Sequence, residues 1–232
     1  MMTSLFTRAR RAGILVGGSA LLLLTACQSQ PDTTAVDRLP YLGEREVVPR
    51  ADGGPADTLY ATIPSFTLTN QDSATITNDT FKNKVYVADF FFATCPSICP
   101  KMQSEMLRVY EKFKDDPRVL FLSHTIDPAH DSVAVLRDYA QRLGIQNASR
   151  WHFATASHDT IFSLARAYYV PAQKDSTVEG GFAHSGAFTL VDSKRRVRGL
   201  YDGMNPDEVA RLIEDLPVLL KEEAENASQA KL

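Results

Sequence analysis

The chain has 232 residues, 44% of them hydrophobic and 23% charged, with a net charge of −3. That composition excludes a disordered, collagen-like or many-pass membrane chain, and the length suits one generous domain with its own core. Arg8, Arg10 and Arg11 are the only charged side chains in the first 26 residues; without them 22 basic residues face 28 acidic ones, which argues against nucleic acid as a partner. The three cysteines divide into Cys27 alone and the pair Cys95 and Cys99.

The three arginines precede an apolar run, Ala12 to Ala26, in the pattern of a secretory signal. The run is shorter than the roughly 20 residues a membrane span needs. Leu24-Thr25-Ala26-Cys27 resembles the lipobox of bacterial lipoproteins, which is cleaved before a Cys that carries diacylglycerol. The resemblance implies a signal peptide over residues 1–26, a lipid on Cys27, and a mature protein anchored to a bacterial membrane outside the cytoplasm, facing the periplasm in a Gram-negative cell. Several acyl chains hold a protein where one would not. Paired thiols exported in this way oxidise unless they are reduced or ligated. Residues 27–59 contain Pro31, Pro40, Pro49, Gly53, Gly54 and Pro55 and no sustained period, so they are expected to form a flexible tether with at most local order.

From residue 60 the pattern alternates. Ile63 to Thr69 and Ala74 to Thr77 predict a hairpin across Asn70-Gln71-Asp72-Ser73. Val85 to Phe92 is an apolar run interrupted once, by Asp89, as expected of a central strand buried on both faces. Ile98, Met102, Met106, Tyr110 and Phe113 then recur at helical spacing. Val119 to Leu122 is the next strand, and Ser132 caps a helix with Val133, Leu136, Ala140 and Leu143 inward that ends near Gly144. Trp151 to Thr155 predicts a strand, and Ile161, Leu164, Ala165 and Tyr168 a helix. Ser185 to Val191 and Val197 to Tyr201 predict a second hairpin. Asn205-Pro206-Asp207-Glu208 opens a last helix that Pro217 should bend or end. The order predicts an α/β domain over residues 60–221, with about five strands in one mixed sheet flanked by helices, and a polar tail over 222–232.

Ligands in such sheets sit at the carboxyl ends of strands, and Cys95 and Cys99 follow one of those ends. Their i, i+4 spacing at the entry to a helix lets both sulfurs face the same way. Helix N–H groups there favour thiolate by about 0.3–1 kcal/mol. Two adjacent thiolates repel, and oxidation or a soft cation relieves the repulsion. Thiolates suit Cu(I), and an added imidazole also accommodates Cu(II). Of the five histidines, His184 stands out, because it lies in Gly180-Gly181-Phe182-Ala183-His184-Ser185-Gly186 just before an apolar strand. A closed zinc site would need a fourth ligand. A plain disulfide would close so short a loop that it stabilises little. His124, His130, His152 and His158 are expected to be structural or solvated, and Met102 and Met106 to belong to the helix's apolar stripe.

Phe90 to Met102, with Cys95-Pro96-Ser97-Ile98-Cys99-Pro100 at its centre, resembles the C-P-x-x-C-P signature of the Sco/SenC family. Ile126-Asp127-Pro128-Ala129-His130-Asp131-Ser132 is similar to that family's D-P-x-x-D-[ST] loop, and Trp151-His152-Phe153 and Ala183-His184-Ser185 match later segments. The resemblance covers roughly Ala61 to Leu220 in the family's order. It implies a thioredoxin-like fold and a copper site of Cys95, Cys99 and His184, with Asp127 and Asp131 as loop residues near it; the plainer reading of the two acids is that they cap the next helix. It implies delivery of copper to the binuclear copper centre of cytochrome c oxidase, with the oxidase's copper-accepting subunit as partner and the protein itself a monomer.

Ligand exchange, not bond-making catalysis, would then be the work. The alternative is a thiol–disulfide oxidoreductase that reduces cysteines of the oxidase or another exported protein. Against a general reductase, the cysteine spacing is C-x-x-x-C, and no proline lies between Pro171 and Pro206 to serve as the cis-proline beside the site.

Overall fold

A computed structural model describes residues 38–229 apart from 97, 176 and 178–181, and describes the backbone alone of 174 and 182–184. The signal peptide, Cys27 and the tether before residue 38 lie outside the described residues.

The strands are β1 (Arg45–Val48), β2 (Asp57–Tyr60), β3 (Thr67–Asn70), β4 (Thr75–Thr77), β5 (Val85–Phe91), β6 (Val119–Thr125), β7 (Trp151–Thr155), β8 (Ala172–Lys174), β9 (Phe182–His184), β10 (Ala187–Val191) and β11 (Val197–Asp202). The helices are α1 (Cys99–Phe113), α2 (Val133–Arg142), α3 (His158–Ala167) and α4 (Pro206–Gln229). Seven strands form one mixed sheet in the order β11-β10-β5-β6-β7-β3-β4. β5, β6 and β7 run parallel, while β10 and β3 pair antiparallel on either side of them. The sequence led to about five strands. Seven result because the hairpin β3–β4 joins the free edge of β7 and the hairpin β10–β11 joins that of β5. Both additions satisfy backbone groups that would otherwise stand open at a sheet edge.

All seven residues of β5 and all seven of β6 are buried, as strands covered on both faces must be. Side chains alternate across the sheet. Phe91 packs against Tyr139 of α2, with ring centroids 4.9 Å apart, whereas Phe90 meets Tyr168 at the end of α3, at 5.8 Å. Right-handed crossovers place α1 and α2 on the first of these faces. Hydroxyl caps start two helices: Ser132 accepts from the Val135 amide and Ser157 from that of Thr160. The Asn205 side chain accepts from the Asp207 amide where α4 begins.

Two sequence expectations change. Helix α4 does not end at Pro217 but continues to Gln229. An interior proline costs about 3 kcal/mol. Leu212, Leu216, Leu219 and Leu220 are all buried along this helix, at roughly 1.5–3 kcal/mol each, so packing outweighs the missing hydrogen bond. Beyond Pro217 the polar residues are not all tail: Glu222 is fully buried, with its carboxylate 2.6 Å from the Arg198 guanidinium.

The stretch expected as tether also acquires structure from residue 38 onward. Arg45–Val48 and Asp57–Tyr60 pair as a two-stranded hairpin. Ahead of it, Arg198 donates to the Leu39 and Pro40 carbonyls at 2.5 and 3.0 Å, and Tyr41 lies over the Arg196 and Arg198 guanidinium groups at 4.4 and 4.1 Å. A short hairpin, β8–β9, was not expected from the sequence; Ala172 pairs there with His184.

Candidate metal centre

Strand β5 delivers the chain to the site. After Phe91 the backbone turns, the Cys95 amide donates to the Phe92 carbonyl at 3.2 Å, and Cys99 opens α1 with Pro100 behind it. Proline is suited to a first turn, where an amide proton has no helical acceptor. Cys95 and Cys99 are both buried and are present as thiols.

Their electrostatics differ from the sequence expectation. The Cys99 thiol is pushed well above its ordinary range, first by its hydrogen bond with Cys95 and then by burial; the Phe92 backbone opposes this, and the negative charge of Asp89 adds to it. A helix N-terminus offers thiolate only about 0.3–1 kcal/mol. Desolvation and the hydrogen bond with the neighbouring sulfur outweigh that, so Cys99 rests as a thiol. A bound cation or loss of two electrons would reverse the balance.

Beneath the pair lies a buried polar group that the sequence reading did not assign. Asp89 accepts from Ser123 Oγ at 2.5 Å and from Gln103 Nε2 at 2.6 Å, and Ser123 Oγ in turn accepts from Trp151 Nε1 at 2.9 Å. Gln103 stands one turn after Cys99, so this network ties α1 to β5, β6 and β7 immediately below the thiols. Tyr139 closes the same face. Its phenol is held above its ordinary range by burial, with Cys99, Asp89 and Cys95 adding to the effect. The sequence did carry a signal: Asp89 is the single acid in an otherwise apolar strand.

Asp131 and Asp127 lie on the loop from β6 to α2. Asp131 Oδ2 accepts from the Ala93 amide at 3.0 Å and from Thr125 Oγ1 at 2.5 Å, while its buried Oδ1 has no partner. Burial raises its carboxyl above the usual range. Asp127 accepts from His130 Nδ1 at 2.7 Å. Neither acid caps α2, a role that Ser132 fills.

The histidines separate by environment. His124 is stacked on Phe90 at 4.5 Å, donates from Nδ1 to the Asp89 carbonyl, and is pushed down to about 4 by burial. His152 is likewise pushed down to about 4 by burial and takes a hydrogen bond from the Asn70 amide at 3.2 Å. His130 and His158 lie at the surface beside Asp127 and Asp159. His184 ends β9, and its side chain lies outside the described residues. Its backbone leads within two residues to Gly186, against which Met102 of α1 packs. Among the described residues no three His, Cys, Asp or Glu side chains converge as a metal cluster.

A dithiol at the carboxyl end of a central strand, held over a buried acid in a mixed sheet, fits the family model of SCO1/SenC proteins, which matches residues 55–219. The chain belongs to the SCO1/SenC family. The SCO1/SenC family lipoprotein from Bacillus anthracis is 27% identical with a TM-score of 0.63, over 68% of this chain and 95% of that one. BsSco is 26% identical with a TM-score of 0.57, over 66% and 91%, and is described as a member of the Sco family of cytochrome c oxidase assembly proteins with a disulfide switch. Bradyrhizobium japonicum ScoI, solved with copper bound, shares the fold at 24% identity and a TM-score of 0.53, over 67% and 99%. The architecture is thus the Sco thioredoxin-like fold. Among the described residues no helix is long and apolar enough to cross a membrane.

Proposed function

We propose that this protein binds one copper ion through Cys95, Cys99 and His184 and passes it to the binuclear copper centre of cytochrome c oxidase. The observation that carries the reading is the contact between two buried thiols where β5 ends and α1 begins. Two sulfurs and an imidazole make a soft donor set that accepts Cu(I) and tolerates Cu(II). Membership of a family of oxidase assembly proteins, and copper in a protein of the same fold, support the reading. Asp131 would position the loop before Cys95, and Asp127 would lie beside it. The protein would act as a monomer, held by lipid on Cys27 outside the cytoplasm, with 27–59 as the segment between anchor and domain.

A second reading is supported by the same contact. Cys95 and Cys99 could together give up two electrons and two protons to become a disulfide, while a disulfide in an exported partner takes them up as two thiols.

Copper stoichiometry, with absorption and EPR spectra, tests the first reading on wild type and on Cys95→Ser, Cys99→Ser and His184→Ala. One copper per chain, lost in both cysteine variants and spectrally altered in His184→Ala, is expected. Thiol-reductase turnover that persists in His184→Ala, with no stoichiometric copper, would leave the second reading in its place. Labelling with palmitate tests the anchor, and Cys27→Ser should remain unlabelled.

A further inference from the structure

Two glycines hold the chain just beyond His184 in an unusually close seat. Gly186 connects β9 to β10, and Gly203 follows β11. The Gly203 amide donates to the Gly186 carbonyl at 2.8 Å. A methyl group on Gly203 would stand 2.6 Å from that same carbonyl oxygen and 2.7 Å from the ring of Phe188, which is fully buried and has no room to yield. A methyl group on Gly186 would stand 3.0 Å from Met204 Cγ and 3.4 Å from Met102 Sδ. Neither glycine has a positive φ, since that conformation occurs only at Gly43, Gly53 and Gly144 among the described glycines. The requirement at 186 and 203 is therefore space, not backbone freedom.

The backbone leaving β9 thus has no free space where a side chain at 186 would enter. Met204, in the turn after Gly203, and Met102, fully buried and three residues after Cys99 on α1, both close that face. We infer that Gly186 and Gly203 are positioning residues, which set how the His184 strand is seated against the first turn of the helix that bears Cys99. This rests on the reading of His184 as a copper ligand and adds to it the contact that holds that ligand's strand in place. Metal sites need their supporting residues fixed to within about 0.5 Å, and loss of such support typically costs 10–100-fold in affinity. A side chain at 203 must displace the Gly186 peptide, and with it the end of β9. One at 186 must displace Met204, which is only partly buried and more easily moved.

The full chain with Gly203→Ala, Gly186→Ala, Gly186→Ala with Met204→Ala, and His184→Ala tests this. The readouts are Cu(I) affinity by competition with a chelator, the EPR and visible spectra of the Cu(II) form, and the Cys95–Cys99 disulfide equilibrium against glutathione. Gly203→Ala is expected to lose about tenfold or more in copper affinity and to change the Cu(II) spectrum, with the disulfide equilibrium within about twofold of wild type. Gly186→Ala should show a smaller change in the same direction, and removing the Met204 side chain should return it toward wild type. Wild-type affinity and spectrum in Gly203→Ala, or an equal loss in the disulfide equilibrium, would overturn the inference. If Gly203→Ala fails to fold, Gly186→Ala decides: an effect that removal of the Met204 side chain does not relieve also overturns it. A His184→Ala protein with unchanged copper binding would instead refute the ligand assignment itself, so the two failures are told apart.

Discussion

The Asp131 carboxylate accepts a hydrogen bond from the Ala93 amide, 3.0 Å away, and so clamps the loop that leads to Cys95 onto the loop that follows β6. Thirty-eight residues separate the two in sequence. The clamp holds the approach to the thiols from outside the helix, while Gln103 and Asp89 hold it from below.

Replacing Asp131 by Ala should therefore loosen the cysteine loop. It removes the acceptor for two donors, the Ala93 amide and the Thr125 hydroxyl, and an unsatisfied buried donor costs about 1–3 kcal/mol. Urea unfolding should show a loss in that range, and amide exchange at Ala93 should accelerate more than exchange in α4. Unchanged exchange at Ala93 would show that the hydrogen bond does not hold the loop.

Copper binding should strengthen with pH. The Cys99 thiol is held well above its ordinary range, so a thiolate ligand at neutral pH means a released proton. Each proton released contributes about tenfold in affinity per pH unit. Competition titrations at pH 6, 7 and 8, corrected for protonation of the chelator, should give a slope of at least one. A flat profile would mean that the thiolate is already formed at pH 6.

Stability should fall in mild acid because of two core histidines. His124 and His152 are lowered from 6.5 to about 4 by burial. Between those values the unfolded chain binds protons that the folded one does not, so stability is present above pH 6.5 and is lost as pH falls toward 4. Each residue contributes up to about 1.4 kcal/mol per pH unit in that window. Asp131, shifted upward, acts in the opposite sense above its ordinary value of 3.8, where its folded form retains a proton. His124→Phe should flatten the acid slope by one proton in urea melts from pH 7 to 4.5; an unchanged slope would show that His124 does not titrate on unfolding.

Arg198 should be among the costliest single residues to replace. Its side chain is fully buried, with Glu222 and Asp192 at 2.6 and 3.4 Å and two backbone carbonyls of residues 39 and 40 as further acceptors. Arg198→Met leaves the buried Glu222 carboxylate without its cation, while Asp192 keeps Arg196 at 2.7 Å, and should cost about 3–5 kcal/mol. Protease cleavage between residues 38 and 60 should rise in parallel, because the same guanidinium holds that segment. Destabilisation without that cleavage would separate the two roles.

The elements that place the cysteines could be read from residue patterns because each is locally encoded. The apolar run of β5, the Ser132 cap of α2 and the Asn-Pro start of α4 fall where expected. The boundaries that moved are those set by distant partners. β6 runs on through Ser123, His124 and Thr125, three polar residues that satisfy themselves against Asp89 and Asp131. The end of α4 depends on Arg198, and the order found from Leu39 to Tyr60 depends on β11. At the site, the pair spacing and the glycine-flanked His184 stood out, as did the two acids of the β6–α2 loop. Asp89 was visible only as an interruption, since nothing in its neighbours shows that it meets Gln103 and Ser123.

By itself the sequence determined the alternation of strands and helices, the dithiol at the end of a buried strand and the family to which the chain belongs, because periodicity, caps and motif spacing act over a few residues. Only the tertiary structure decided that Cys99 rests as a thiol, that Asp131 holds Ala93, and that the segment from Leu39 belongs to the domain. Those outcomes depend on burial and on contacts between residues far apart in the chain, and a carboxylate or a sulfur has no fixed proton affinity until the fold has chosen its neighbours and removed its water.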